Sequence, residues 1–239
     1  MAEVFRWSRV SADYKVQDLF QNPDFNLYDA SYSALPFWVF FEARQKSTPL
    51  DQPMRNYLHR YESHGKEEQA LAEAIGDEWP PNNVYGTLPH FFALFARERW
   101  LGAWKVGPTG SVYGNILGPA NKVLAPSTLI VAVPLEDGDT YLGAGSVSGL
   151  GSDYYRFDLG ATAAAQTMNV VVDGATGGDF SYYLIWQKAG KWKRASFPFA
   201  TKTDLAHSET IDLAQADQLV IAISGRGKGG AYSIKASVA

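Results

Sequence analysis

YDASYSALPFWVFFEAR, residues 28–44, is the densest aromatic run in this chain. Phe37, Phe40, Phe41 and Arg44 recur at helical spacing, and Trp38 lies between Phe37 and Phe41 in projection. The stretch reads as the central buried helix of an N-terminal helical region. Pro36 fits a helix that starts near Leu35 with proline in its first turn, or a helix kinked at that point. A run this apolar has to be covered, and helical patterns lie on both sides. Residues 3–20 place Val4, Trp7 and Tyr14 on one stripe. Met54, Tyr57, Leu58 and Tyr61 mark a further helix that closes at His64-Gly65. Residues 66–75 form a short alanine-rich helix with Gly76 as its stop. Thr87 caps a last helix, with Leu88, Phe91, Phe92 and Phe95 inward and Arg97, Glu98 and Arg99 outward.

The pattern changes near Lys105. Before it Ala, Glu, Arg, Leu and large aromatics dominate at helical period; after it Gly, Thr, Ser and Val dominate at period two. A boundary is expected in the Gly-Pro-Thr-Gly stretch at Gly107, dividing a helical region, 1–106, from a strand region, 107–239. Residues 128–133 are almost wholly apolar, as in a strand buried on both faces. Tyr155, Phe157 and Leu159 share one face, as do Met168, Val170 and Val172. Ala189-Gly190 joins two strands in a two-residue hairpin. Leu219, Ile221 and Ile223 alternate, and so do Tyr232, Ile234, Ala236 and Val238; the GRGKGG between them, residues 225–230, reads as a hairpin tip. Short strands joined by Gly and Asp turns predict an antiparallel, jelly-roll-like β-sandwich. The fold class is therefore α+β, helical region first.

The composition, 46% hydrophobic and 19% charged, is that of a folded chain. A net charge of −4 gives no bulk attraction for nucleic acid. The absence of cysteine excludes disulfides, thiolate metal sites and a cysteine nucleophile. No apolar stretch reaches the roughly 20 residues of a membrane span. The opening MAEVFRWSRV lacks the basic and apolar segments of a signal peptide.

Chemistry-bearing motifs are sparse. His59, His64, His90 and His207 have no metal-ligand spacing. Neither a nucleophile elbow nor a phosphate-binding loop is present. Carboxylate pairs such as Glu67-Glu68 and Asp77-Glu78 suit a solvated helix face as well as acid–base work. Asp137, Asp139 and Asp179 lie in Asp/Gly turns that can ligate Ca²⁺, although Asp and Gly are favoured in turns anyway. No other cofactor is implied. Tyr182, Trp186 and Trp192 form a candidate binding surface. One face of their strand has to be core; the other exposes rings for stacking on sugars or capturing a peptide, or is covered as well. Arg226 and Lys228 are candidate anion contacts or simply solvated.

Two stretches carry a family resemblance. Trp7-Ser8-Arg9-Val10-Ser11-Ala12 with Tyr14 resembles the W-x-E-G-x-A-x-W/Y segment of gluzincin-type zinc metallopeptidases. Tyr28, Tyr32, Ser33, Phe37 and Trp38 resemble the helix beneath the active site of those enzymes. The strands from about Tyr141 onward, among them YYRFDL, VVVDG, FSYYLIW and GGAYSIKASV, look like a bacterial pre-peptidase C-terminal β-sandwich, a type that trails secreted peptidases. The resemblance implies a degenerate site at Trp7, Arg9 and Tyr32. Arg9 stands where the family has its ligand glutamate, Val10 where it has glycine, and no HExxH precedes Trp7. A guanidinium has donors only and cannot ligate zinc. Outside the family, Arg9 is a helix-surface arginine.

The expected function is a non-catalytic binding or adhesion module that recognises carbohydrate or a protein surface through the sandwich, outside the cell or in a periplasm. The alternatives are a truncated or degenerate zinc metallopeptidase without its HExxH half, and a hydrolase built on a carboxylate pair.

Overall fold

The structure, a computed structural model, describes residues 35–44, 52–79, 87–101, 131–136, 138–159, 167–174, 179–194, 199–201, 206–212 and 216–239. The helix expected over residues 3–20, the stretch 28–34 and the boundary expected at 106/107 lie outside them. The chain divides into two compact units, Met1–Ser127 and Thr128–Ala239.

The described helices of the first unit are α1 (Leu35–Arg44), α2 (Gln52–His64), α3 (Glu67–Glu78) and α4 (Leu88–Leu101). α1 begins at Leu35, so Pro36 sits in the first turn, where a missing N–H costs nothing. Phe37, Phe40 and Phe41 pack on Phe91 at centroid distances of 5.8, 5.1 and 5.1 Å. The more enclosed helix is α4, because every residue from 91 to 100 is buried. That corrects the outward placement of Arg97, Glu98 and Arg99. A helix covered all round must bury whatever its sequence carries, and these charges are buried with partners. Glu98 accepts from Arg97 Nη2 at 2.7 Å and lies 3.8 Å from Arg44, while Arg99 stacks over Phe95 at 5.3 Å.

α2 stops as expected, with the Gly65 N–H donating to Tyr61 O at 2.7 Å. α3 runs through Gly76 instead of ending there. Two anchors beyond Gly76 hold the extra turn. Asp77 accepts a bidentate hydrogen bond from Arg60 of α2, and Trp79 is buried 5.3 Å from Phe91.

The second unit holds β1 (Val131–Leu135), β2 (Thr140–Ser148), β3 (Ser152–Leu159), β4 (Thr167–Gly174), β5 (Asp179–Lys188), β6 (Lys191–Arg194), β7 (Phe199–Thr201), β8 (Ala206–Asp212) and β9 (Gln218–Val238). β9 organises it. Its residues 218–225 lie between β3 and β5, and its residues 229–238 lie between β2 and β4, all antiparallel. β6 and β7 extend the first half beyond β5, and β8 extends the second half beyond β4. Each half turns one face to a shared core that includes Tyr155, Phe157, Val170, Val172, Ile221 and Ile234. The period-two alternation expected of these strands is therefore what builds the sandwich. The first half is buried on its other face too, at Tyr154, Tyr183, Ile185 and Ala222.

Two expectations are corrected. Residues 225–230 are not a hairpin tip. The flanking segments do not pair with each other; they continue as one strand of 21 residues that passes from one half to the other. A Cβ at Gly225 would strike the Ser148 carbonyl, and one at Gly229 (φ 67°) the Val147 carbonyl. Glycine here serves close backbone approach and not a reversal. The apolar stretch near residue 131 is also no central strand. β1 stands at the end of the strand order, parallel to β3, with Pro134 exposed and Val133 half-buried. An edge is where a strand tolerates proline.

Candidate functional site

The register of the first half aligns four polar or aromatic side chains. Asp158 of β3 stands opposite Gln218 of β9, Gln218 opposite Gln187 of β5, and Gln187 opposite Trp192 of β6. Directly paired residues share a face, and adjacent strands lie about 4.8 Å apart, so the row spans about 14 Å. All four side chains are half-buried. Gln218 Nε2 donates to Asp158 Oδ1 at 2.6 Å, and Arg156 Nη2 donates to Asp158 Oδ2 at 3.0 Å. One carboxylate is thus held between an amide and a guanidinium, and its charge is matched by Arg156.

The tip that carries Trp192 is fixed by its turn. Ala189 and Gly190 both have positive φ, 49° and 75°, as a type I′ two-residue hairpin demands. Asp217 anchors it: the carboxylate accepts from the Ala189 N–H at 2.6 Å and from Lys188 Nζ at 2.8 Å. Those two donors hold the Asp217 carboxyl below its ordinary range, Lys188 first and the Ala189 amide second. The Asp217 backbone joins three strands, donating to Gln187 O at 2.7 Å and accepting from the Leu159 N–H at 3.0 Å.

The candidate surface of Tyr182, Trp186 and Trp192 is not one surface. Tyr182 is 0% exposed in the core, and Trp186 packs against that core. Trp192 faces the other way, because its cross-strand partner is Gln187 and not Trp186. Alternation correctly grouped Tyr182 with Trp186, but that shared face is the interior.

The turn aspartates do not meet either. Asp139 lies at the end of β2 where its backbone O accepts from the Val238 N–H, whereas Asp179 pairs with Gly229. Nine residues of β9 separate these points, about 30 Å of strand. The Asp139 carboxylate accepts the Glu136 N–H at 2.8 Å, which is turn chemistry. Asp137 lies outside the described residues. Among the described residues no group of three His, Asp or Glu side chains has metal-binding geometry. Trp7, Arg9 and Tyr32 lie outside the described residues, as does His207's side chain. Two carboxylates of α3, Glu73 and Asp77, have a partner in their own unit: both accept from Arg60, at 2.7 Å each. The Gln69 amide, followed by Arg60, holds the Glu73 carboxyl below its usual range.

Two features escaped the sequence patterns. Tyr232 Oη donates to the buried Asp153 carboxylate at 2.5 Å and lies 2.9 Å from Tyr155 Oη. Burial, and then the Asp153 charge, push the Tyr232 hydroxyl far above its ordinary pKa. The second is a row of buried serines, Ser152, Ser224 and Ser181, paired across β3, β9 and β5. Their hydroxyls have no hydrogen-bond partner among the described residues. Carried back two residues from Tyr155, the alternation of Tyr155, Phe157 and Leu159 puts Asp153 on the same face, but nothing in the sequence names Tyr232 as its partner.

No family model matches the chain, and no curated protein matches it. Solved structures resemble part of it. The Yersinia pseudotuberculosis-derived mitogen is 13% identical, with 42% of this chain and 86% of that one covered and a TM-score of 0.32. The Salmonella Typhimurium periplasmic inhibitor of g-type lysozyme, PliG, is 13% identical over 45% of this chain and 98% of its own, with a TM-score of 0.26. A family 16 carbohydrate-binding module is 5% identical over 39% and 74%, with a TM-score of 0.25. No described helix is long and apolar enough to cross a membrane.

Proposed function

We propose that the second unit is a glycan-binding module whose ligand lies across Asp158, Gln218, Gln187 and Trp192. The observation that carries this is the register itself, which places a carboxylate, two carboxamides and an indole on one face of four consecutive strands. A sugar ring offers an apolar C–H face and a rim of hydroxyls. An indole covers the first, and planar amides, which both donate and accept, together with a carboxylate, which accepts from hydroxyls, bind the second. Hydrogen bonding among Arg156, Asp158 and Gln218 holds these groups before any ligand arrives, which lowers the ordering cost of binding.

The test is affinity electrophoresis and titration calorimetry of the full chain against a panel of soluble polysaccharides. At least one polysaccharide retards the protein. Trp192→Ala and Gln218→Ala each weaken binding to it by about tenfold or more, roughly 1.4 kcal/mol, with the melting temperature little changed. Failure of every polysaccharide to bind, or binding indifferent to both substitutions, removes the proposal.

A further inference from the structure

The same hairpin carries charge that the row does not use. Residues 188–194, KAGKWKR, hold four cations and no carboxylate in a chain whose net charge is −4. Lys188 is committed to Asp217 at 2.8 Å. Lys191 and Lys193 are exposed, and among the described residues no carboxylate pairs with them. They flank Trp192 on β6, which among the described residues pairs only with β5 and so offers its outer edge. The register places both lysines on the face opposite Trp192, at the positions facing Lys188 and Trp186. Successive residues on one face of a strand are about 7 Å apart, and lysine stems are long and flexible. A polymer lying along the β6 edge meets the indole from one side and two ammonium groups from the other.

We propose, resting on the glycan reading above, that the glycan is acidic and that Lys191 and Lys193 hold its carboxylate or sulfate groups. Lysine on an edge strand also discourages strand addition, but that purpose does not require a half-buried tryptophan between the two lysines. The indole and the two carboxamides of the row match the C–H face and hydroxyl rim of a sugar, which a phosphate backbone and a flat bilayer do not present together.

The experiment uses the full chain with polygalacturonate, dextran sulfate, a neutral β-glucan, single-stranded DNA and vesicles containing phosphatidylserine. Polygalacturonate or dextran sulfate binds at least about tenfold more tightly than the neutral polymer, and the difference shrinks between about 20 and 200 mM salt as screening shortens. Which of the two binds distinguishes carboxylate from sulfate. Lys191→Glu and Lys193→Glu each weaken that binding about tenfold with an unchanged melting temperature, and Lys→Gln at either position weakens it less. Equal binding of the neutral glucan, unaffected by the charge reversals, overturns the acidic ligand and leaves the row intact. Loss on Lys→Glu with no effect of Trp192→Ala overturns the row. Preferential binding of DNA or vesicles overturns the glycan class.

Discussion

At the scale of single residues, the sandwich buries a short hydrogen bond between Tyr232 and Asp153. Asp153 is 1% exposed and faces the interior, where a carboxylate is tolerated only if charged partners or donors meet it. Tyr232 supplies one donor, and the absence of a side chain at Gly145 leaves room for its hydroxyl. Tyr232→Phe removes that donor while keeping the ring that packs against Phe180 at 5.7 Å. The expected cost is about 1.5–3 kcal/mol, the range for a hydrogen bond to a charged group. Chemical denaturation measures it. The pH dependence carries a sign of its own. The hydroxyl's folded pKa is raised, so its contribution is complete below the unfolded value of about 10 and is lost as pH rises beyond that value. The two proteins therefore converge in stability under alkaline conditions, and a constant gap from pH 7 to 11 contradicts this account. Of the residues involved, alternation reveals only that Asp153 and Tyr155 share a face. The partner is 79 positions away, and such pairings are set by sheet register, which local patterns do not encode.

At the scale of elements, the sequence was readable wherever one local rule acted alone. The Ala189-Gly190 turn, the start of α1 at Leu35 and the inward alternation of β3 and β4 each follow from local geometry. Errors arose where a long-range contact overrode the rule. Gly76 permits a helix to end, but Trp79 and Asp77 have partners that continue it. The glycines of residues 225–230 permit a turn, but β2, β3, β4 and β5 pair with a strand that does not turn. Trp186 and Trp192 are close in sequence, and the hairpin register sends them to opposite faces. The hairpin gives a prediction at this scale. Asp217→Asn removes the ion pair with Lys188 and weakens the grip on the Ala189 amide. Because the folded pKa of Asp217 is lowered, its contribution exists above the unfolded value of about 3.9 and is lost as pH falls through the folded value. The melting temperature of the variant should lie below that of the parent at pH 7, and the gap should close on acidification below about pH 4. A gap that persists at pH 2 would show that the carboxylate charge is irrelevant to the turn.

At the largest scale, the sandwich has two halves but one spine. A sandwich whose sheets met only through side chains would let one sheet open while the other held. Here β9 is central in both halves, so its residues 218–224 and 232–237 each lie between two neighbouring strands. Opening either half releases one end of the same strand and disrupts the core that both halves share. The halves are therefore expected to open as one cooperative unit. Native-state hydrogen exchange tests this directly. The amides of Ile221, in the first half, and Ile234, in the second, should report the same free energy of opening and the same denaturant dependence. Edge-strand amides of β1 and β6 exchange at lower cost, since each of these strands has a single neighbour among the described residues. Two distinct opening energies for Ile221 and Ile234 would mean that the glycine segment at residues 225–230 is a hinge between independent sheets. A single energy would mean that the row bearing Trp192 is held by the whole sandwich, because its Gln218 is the first residue of the strand that closes both halves.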